Sequence, residues 1–277
     1  MRVIVNIAAL ECSGGLEYVG CGTGETRQCG QPSQEDTTDF CVEGCQCPAG
    51  SALHQTQCIP AQDCPCFYNG KPFPGGSEIQ QDCNLCVCQE AQWRCSTEVC
   101  GRRCSAVGDP HYTTFSGQQY DFAGQCSYTM IKHPDFEVIN ENHQCEGFRP
   151  TEILRTQYEI NHPPTCTKAV IIKMNNQTLK LKQRKEVVFD GEEQPQLPVL
   201  LDNGISVRVS SSLWLTASLP GGVTVWWDGA SRAYYDLPGS LRGTVRGLCG
   251  SFSPHQSEDF LTPDGDVETS PTEFANQ

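Results

Sequence analysis

The sequence predicts a mostly β chain, with two small disulfide-rich loop modules followed by an antiparallel β-sandwich. Cysteine distribution is the first observation behind this. The 277 residues include 19 cysteines, fourteen of them between Cys12 and Cys100. Only Cys104, Cys126, Cys145, Cys166 and Cys249 serve the rest. So dense a stretch is either an oxidised scaffold or a metal cluster. Modules this small cannot build a sufficient core and depend on staples. The second observation is a change of texture beyond Cys104, where roughly 170 residues are enough for one domain core. The third is turn chemistry spaced between the strand-like runs of that region.

Residues 12–64 hold eight cysteines, many glycines and almost no apolar period. Residues 65–100 hold six more, around Gly75-Gly76 and the C-x-x-C-x-C run of Cys83, Cys86 and Cys88. Both regions read as loops with short strands. From 101 to 277 the pattern is β. Val170-Ile171-Ile172 precedes an alternating Leu179-Lys180-Leu181-Lys182, then Val187-Val188-Phe189. Ile205, Val207 and Val209 alternate strictly, and Leu213-Trp214-Leu215 and Val223–Trp227 follow. Asp190-Gly191, Asn203-Gly204, Pro220-Gly221-Gly222 and Asp228-Gly229 supply turns between them. Such spacing predicts an antiparallel sandwich. Trp214, Trp226 and Trp227 are expected in the core or on a sheet face, and one helical turn is expected near Thr272–Asn276.

A formal charge of −14 and a pI near 4.8 argue against nucleic acid as a partner. No apolar run reaches transmembrane length. Residues 1–11 are unassigned: VIVNIAAL loosely imitates a signal peptide but is short and meets Glu11 and Cys12 at once. The chain is expected to be part of a longer secreted one. HExxH and G-x-S-x-G are both missing, so conventional catalysis finds no motif.

Two blocks carry a resemblance. At Cys104 the sequence reads CSAVGDPHYTTFSGQQYDFAGQCSY, and at Arg246 it reads RGLCGSFSPHQSEDFLTPDGD. They resemble the start and end of a von Willebrand factor type D domain. Upstream, Cys12–Gly22 and Cys41–Cys64 resemble a trypsin-inhibitor-like module, and Cys66–Cys95 resembles the small E module related to von Willebrand type C repeats. The three cover residues 12–277 in the order of D assemblies in large secreted glycoproteins.

The resemblance implies pairings. Trypsin-inhibitor-like modules have ten cysteines, and the two missing here are partners of each other. The remaining eight would pair as Cys12–Cys45, Cys21–Cys41, Cys29–Cys64 and Cys47–Cys58. In the D domain the resemblance implies Cys104–Cys249, with Cys145–Cys166 beside it. Zinc at Cys41, Cys45 and Cys47, or at Cys83, Cys86 and Cys88, is the competing reading. The E module admits fifteen connectivities. Cys126 is left over, because its family partner lies in a following C8 module; the alternative is a free buried thiol.

Four further expectations concern chemistry. The family's Gly-Asp-Pro-His tetrapeptide, here Gly108-Asp109-Pro110-His111, cleaves itself in some D domains. The Asp109 carboxyl would attack its own carbonyl carbon, and the Pro110 nitrogen would leave once protonated. The competing reading is an ordinary turn entering a strand, with His111 part of it. The family's calcium loop maps onto Ser116, Ser251, Ser253, the His255 carbonyl, Glu258 and Asp259. Serine replaces a stronger ligand at three of these, so weak binding or none is expected. Protease inhibition would need the loop Gln31–Phe40, which lacks its bracing bridge. Asn176-Gln177-Thr178 is a glycosylation sequon on a polar turn.

The functional expectation is a secreted adhesion or assembly unit, not an enzyme on an outside substrate. Its partners would be extracellular proteins and neighbouring D or C8 modules. Serine protease inhibition and binding of a growth factor of the bone morphogenetic class are the alternatives. Arg246 stands where multimer-forming relatives carry the first cysteine of Cys-Gly-Leu-Cys, which counts against covalent self-multimerisation.

Overall fold

The computed structural model describes residues 11–22, 26–31, 41–145, 164–262 and 264–275. The chain divides into two compact units, residues 1–98 and 99–277.

The first unit is built from short strands: β1 (Glu17–Gly22), β2 (Val42–Gln46), β3 (Ser51–His54), β4 (Gln57–Pro60), β5 (Cys66–Tyr68), β6 (Lys71–Phe73), β7 (Glu78–Gln81), β8 (Asn84–Gln89) and β9 (Gln92–Cys95). They form the antiparallel pairs β1–β2, β3–β4 and β5–β6 and a β7–β8–β9 sheet. Its buried apolar side chains among the described residues are Ala52, Ala61 and the half-cystines Cys64, Cys66, Cys86 and Cys88. Bridges therefore stand in for a core. They join Cys12–Cys45, Cys21–Cys41, Cys29–Cys64, Cys47–Cys58, Cys66–Cys88 and Cys86–Cys95. Cys83 and Cys100 are oxidised as well. The zinc reading of these cysteines is thereby corrected, since a sulfur in a disulfide is no thiolate ligand.

The second unit is the sandwich. One sheet of eight strands contains β10 (Arg102–Val107), β11 (His111–Thr113), β12 (Gln119–Asp121), β19 (Val199–Leu200), β20 (Ser206–Val209), β21 (Leu215–Ser218), β22 (Thr224–Trp227) and β23 (Arg232–Leu237). Their order is β12-β11-β10-β23-β22-β21-β20-β19, all antiparallel. The other sheet runs β13 (Ser127–Lys132), β14 (Phe136–Gln144), β15 (Thr165–Met174), β16 (Gln177–Lys182), β17 (Val187–Phe189), β18 (Glu192–Glu193) in chain order. Alternation places Val138, Ile172, Leu179, Leu181, Val207, Val225 and Tyr235 in one core between the sheets. A short helix, Pro271–Ala275, adds Phe274 to that core; its first residue is proline, which tolerates that position.

Turn residues behave as their chemistry requires. Asp228 Oδ1 accepts the backbone N–H of Ala230, Ser231 and Arg232 at 2.8–3.0 Å. Gly229 has φ +81°, and a Cβ there would lie 2.7 Å from Lys185 Cγ, so only glycine fits. Two apolar positions depart from the sequence pattern. Val209 and Leu213 are 54% and 65% exposed. Val209 and Leu215 are the last pair of the β20–β21 hairpin. Beyond it Ser211 Oγ accepts the N–H of Leu213 and Trp214, which turns the chain before a strand can begin at Leu213.

The sandwich interior also holds a polar chain that apolar periodicity does not announce. The Tyr235 hydroxyl donates to Asn140 Oδ1. Asn140 Nδ2 donates to Thr167 Oγ1 at 3.3 Å, and Thr167 donates to Asn142 Oδ1 at 3.1 Å. Asn142 Nδ2 completes the chain at the Tyr112 hydroxyl, 2.9 Å away. Asn140 and Asn142 are fully buried, so each bond offsets a desolvation cost and ties one sheet to the other in a single register. Burial pushes the Tyr112 phenol up to about 12, against the opposing bond from Asn142.

Candidate functional site

Gly108-Asp109-Pro110 forms the turn between β10 and β11, with Gly108 at φ +66°. Asp109 is exposed and Pro110 buried. His111 opens β11 and stands directly opposite Asp121 of β12. Its Nδ1 lies 2.6 Å from Asp121 Oδ1. Asp121 as the partner of His111 escapes a linear reading, because only strand pairing makes them neighbours.

The calcium-loop residues divide. Ser116 and Asp259 come together, and Thr114, which opens the same Thr114–Gly117 turn but was not expected as a ligand, joins them. The Thr114 hydroxyl donates to Asp259 Oδ2 at 2.6 Å, and Ser116 Oγ donates to the same oxygen. Gly250 (φ +81°) passes so close that a Cβ would lie 2.5 Å from Asp259 Oδ1. Ser253 Oγ donates instead to the His255 carbonyl at 3.0 Å. Glu258 belongs to the short 3-10 turn Gln256–Glu258. Two buried atoms, Asp259 Oδ1 and Ser251 Oγ, lack a hydrogen-bond partner. Calcium takes six to eight oxygens, several of them anionic. One carboxylate already engaged by two hydroxyl donors does not fit that demand. Burial raises the Asp259 pKa, opposed by the bonds from Ser116 and Thr114. Stability from this group is therefore full below its unfolded pKa and declines as pH rises through the elevated folded value. Calorimetric titration is expected to show no calcium binding at micromolar concentration, and chelator should leave the melting temperature unchanged; sub-micromolar affinity would overturn this.

Cysteines of the second unit join as Cys104–Cys249 and Cys145–Cys166. Cys126 is free and exposed, which corrects the alternative of a buried thiol. Its carbonyl accepts the Asn142 N–H at 2.9 Å, fixing the start of β13 to β14. It lines a cleft of about 600 Å³ with Tyr128, Leu248, Leu261, Phe274 and Arg246. Tyr128 packs edge-on against Phe122 at 4.9 Å. Partial burial raises its phenol pKa, as does Cys126 beside it. The apolar wall draws on residues far apart in the chain, so no local signal reveals it.

Asn176 sits exposed in the two-residue turn between β15 and β16. The inhibitor loop lies outside the described residues except for Gln31. Trp227 is fully buried, while Trp214 and Trp226 are half-buried on the outer face of the eight-stranded sheet. There Trp214 packs against Trp226 and Tyr234, and Arg103 lies over Trp226 and Tyr234 while bonding Asp236 at both oxygens. These groups satisfy one another. No helix among the described residues is long and apolar enough to cross a membrane.

Comparison with known proteins agrees with this arrangement. Family models match residues 104–266 as a von Willebrand factor type D domain, residues 12–64 as a trypsin inhibitor like cysteine rich domain, and residues 71–98 as a von Willebrand factor-like domain. The chain is similar to SCO-spondin of Gallus gallus, 33% identical over 269 residues, covering 96% of this chain and 5% of that protein. It is similar to von Willebrand factor of Bos taurus, 33% identical over 274 residues, covering 96% and 28%. Mucin-2 of Homo sapiens is 33% identical over 246 residues, covering 85% and 4%. The chain thus spans only a small part of these relatives. Its bridges and its relatives make it a secreted, extracellular chain. The sandwich, the paired half-cystines and the matched order of modules lead to one conclusion: the chain belongs to the von Willebrand factor type D domain family.

Proposed function

We propose that the chain is an adhesion and assembly unit of a large secreted glycoprotein, joined covalently to another module or chain through Cys126. The observation that carries this is an exposed free thiol in a cleft with an apolar wall of Leu248, Leu261 and Phe274. Two thiols can join there by losing two electrons and two protons to the oxidising secretory compartment. Alternatively, the Cys126 thiolate attacks a partner disulfide and releases one thiolate. Arg246 cannot supply a second sulfur beside Cys249, so an exchange motif of the C-x-x-C kind is not part of the reading. Neighbouring D or C8 modules and other extracellular proteins are the partners in view. Mass spectrometry of non-reduced peptides from the full-length secreted protein tests it. A Cys126 peptide linked to another cysteine supports the proposal; a Cys126 recovered as a free, alkylatable thiol sinks it.

A second reading is self-cleavage between Asp109 and Pro110, favoured by the exposed Asp109 turn and the His111–Asp121 pair. The Asp109 carboxylate oxygen would bond to its own carbonyl carbon, the bond to the Pro110 nitrogen would break, and that nitrogen would take a proton. Water then opens the resulting cyclic anhydride, leaving a C-terminal aspartate and an N-terminal proline. Cys104 precedes the cut and Cys249 follows it, so their bridge holds the pieces together. After mildly acidic incubation two bands are expected on a reducing gel and one on a non-reducing gel. Asp109→Ala should give one band on both, and an uncut wild type under reduction would end this reading.

A further inference from the structure

The two-residue turn Asn175-Asn176 closes the β15–β16 hairpin, with Met174 opposite Gln177. Both residues have positive φ, 53° and 61°, a conformation asparagine tolerates and two-residue hairpins require. The turn presents Asn176, while Gln177 and Thr178 open β16 and pair with β15. Thr178, the sequon's third residue, is fixed by Asp190 Oδ1, which accepts the Thr178 N–H at 2.7 Å.

Asn176 does not border open solvent on every side. It lines a cleft of about 670 Å³ with Lys132, Lys173, Glu137, Thr244 and Arg246. Three positive groups surround this cleft in a chain of formal charge −14. Glu137 engages two of them, Lys132 at 3.0 Å and Lys173 at 3.7 Å. Arg246 is held by its backbone alone, through paired bonds with Lys132 at 2.7 and 3.1 Å. Among the described residues its guanidinium has no hydrogen-bond or ion-pair partner, and it is exposed. On the β13–β14 side the His133 ring stacks on Phe136 at 4.9 Å. The cleft therefore offers unused N–H donors beside a flat ring, next to an acceptor asparagine.

We propose that Asn176 carries an N-linked glycan whose first sugars lie in this cleft, bonded by Arg246 and the two lysines, instead of extending into solvent. The contact rests on occupancy of the sequon. In that reaction the Asn176 side-chain nitrogen loses a proton and bonds to C1 of the first N-acetylglucosamine, displacing the diphosphate of a lipid-linked donor in the secretory pathway. The sugar's hydroxyl and acetamide oxygens accept from the guanidinium and ammonium groups, and its acetamide methyl meets the exposed edge of the His133 ring, whose side chain is 13% exposed. Attachment at the rim makes the contact intramolecular, so weak individual bonds suffice to hold it. The glycan then clamps the β13–β14 turn to the β15–β16 turn.

The full chain secreted from mammalian cells tests this. Intact mass before and after removal by peptide N-glycosidase gives occupancy. Melting of glycosylated and deglycosylated protein follows, for wild type, for Arg246→Ala and for Lys173→Ala; Asn176→Asp controls for the aspartate the enzyme leaves. Deglycosylation should lower the wild-type melting temperature by about 2–4 °C. The loss should be much smaller in either variant. Nuclear Overhauser contacts between the acetamide methyl and the His133 ring should accompany it. An unoccupied Asn176 overturns the proposal at the site itself. An occupied Asn176 with the same loss in all three proteins, and no contact to His133, overturns the clamp alone.

Discussion

Replacing Cys104 and Cys249 together with alanine is expected to lower stability by about 5 kcal/mol, the loop-closure value for a loop of this length. Their sequence separation is 145, the largest of the bridges described. Both are fully buried, and Cys104 lies on central strand β10 beside Tyr235 of β23. The bridge thus fastens the sheet to the segment that carries Leu248 and Gly250. A domain has only about 5–15 kcal/mol to lose, so secretion should fall sharply and any folded material should unfold at much lower urea. The Cys145–Cys166 bridge, with a separation of 21, encloses far less chain and its removal should cost about 3 kcal/mol. Urea midpoints of the two double variants check the order. Equal losses, or a loss under about 2 kcal/mol for the long loop, would show that the bridge acts by something other than chain restriction.

Trp227→Ala should cost about 3–5 kcal/mol, the range for emptying a buried aromatic site. Trp227 is fully buried on β22, and its Nε1 donates to the Lys182 carbonyl of β16 at 2.8 Å. That bond crosses from one sheet to the other. Alanine removes the packing and leaves the carbonyl without its donor. Trp227→Phe keeps much of the ring and should recover over half of the loss. Trp226→Ala, next along the strand but on the outer face, should cost less, about 1–2 kcal/mol, because that ring is only partly buried although its Nε1 donates to Asp236 Oδ2 at 2.8 Å and Arg103 lies over it. Thermal melts of the three variants decide, and a Trp226 effect as large as that of Trp227 would contradict the assignment of faces.

The contrast between neighbouring tryptophans shows how far the sequence reads. Alternation in β16 and β22 and the Asp228-Gly229 turn are local: period two exposes one face and buries the other. Strand identity follows from that, whereas which of Trp226 and Trp227 enters the core was decided by how the two sheets pack. Alternation failed at Val209 and Leu213, where the hairpin runs past its last pair and Ser211 captures the backbone. It was also silent about Asn140 and Asn142, whose positions on the buried face of β14 make sense only once Tyr235 and Thr167 are brought against them.

The candidate sites divide in the same way. The odd cysteine, the Asp109-Pro110 step and the sequon at Asn176 are each short stretches of chain chemistry, and the sequence by itself determined them. So did the abundance of half-cystines that replaces a core in the first unit. Only the tertiary structure decided what stands beside each one. It set Asp121 opposite His111, exposed the Cys126 thiol in an apolar-walled cleft, and turned Thr114 and Ser116 towards Asp259, roughly half the chain away. It also placed Arg246 at both clefts. Strand register and sandwich closure bring together residues that share no local pattern, and a hydrogen bond depends on distance in space, not along the chain.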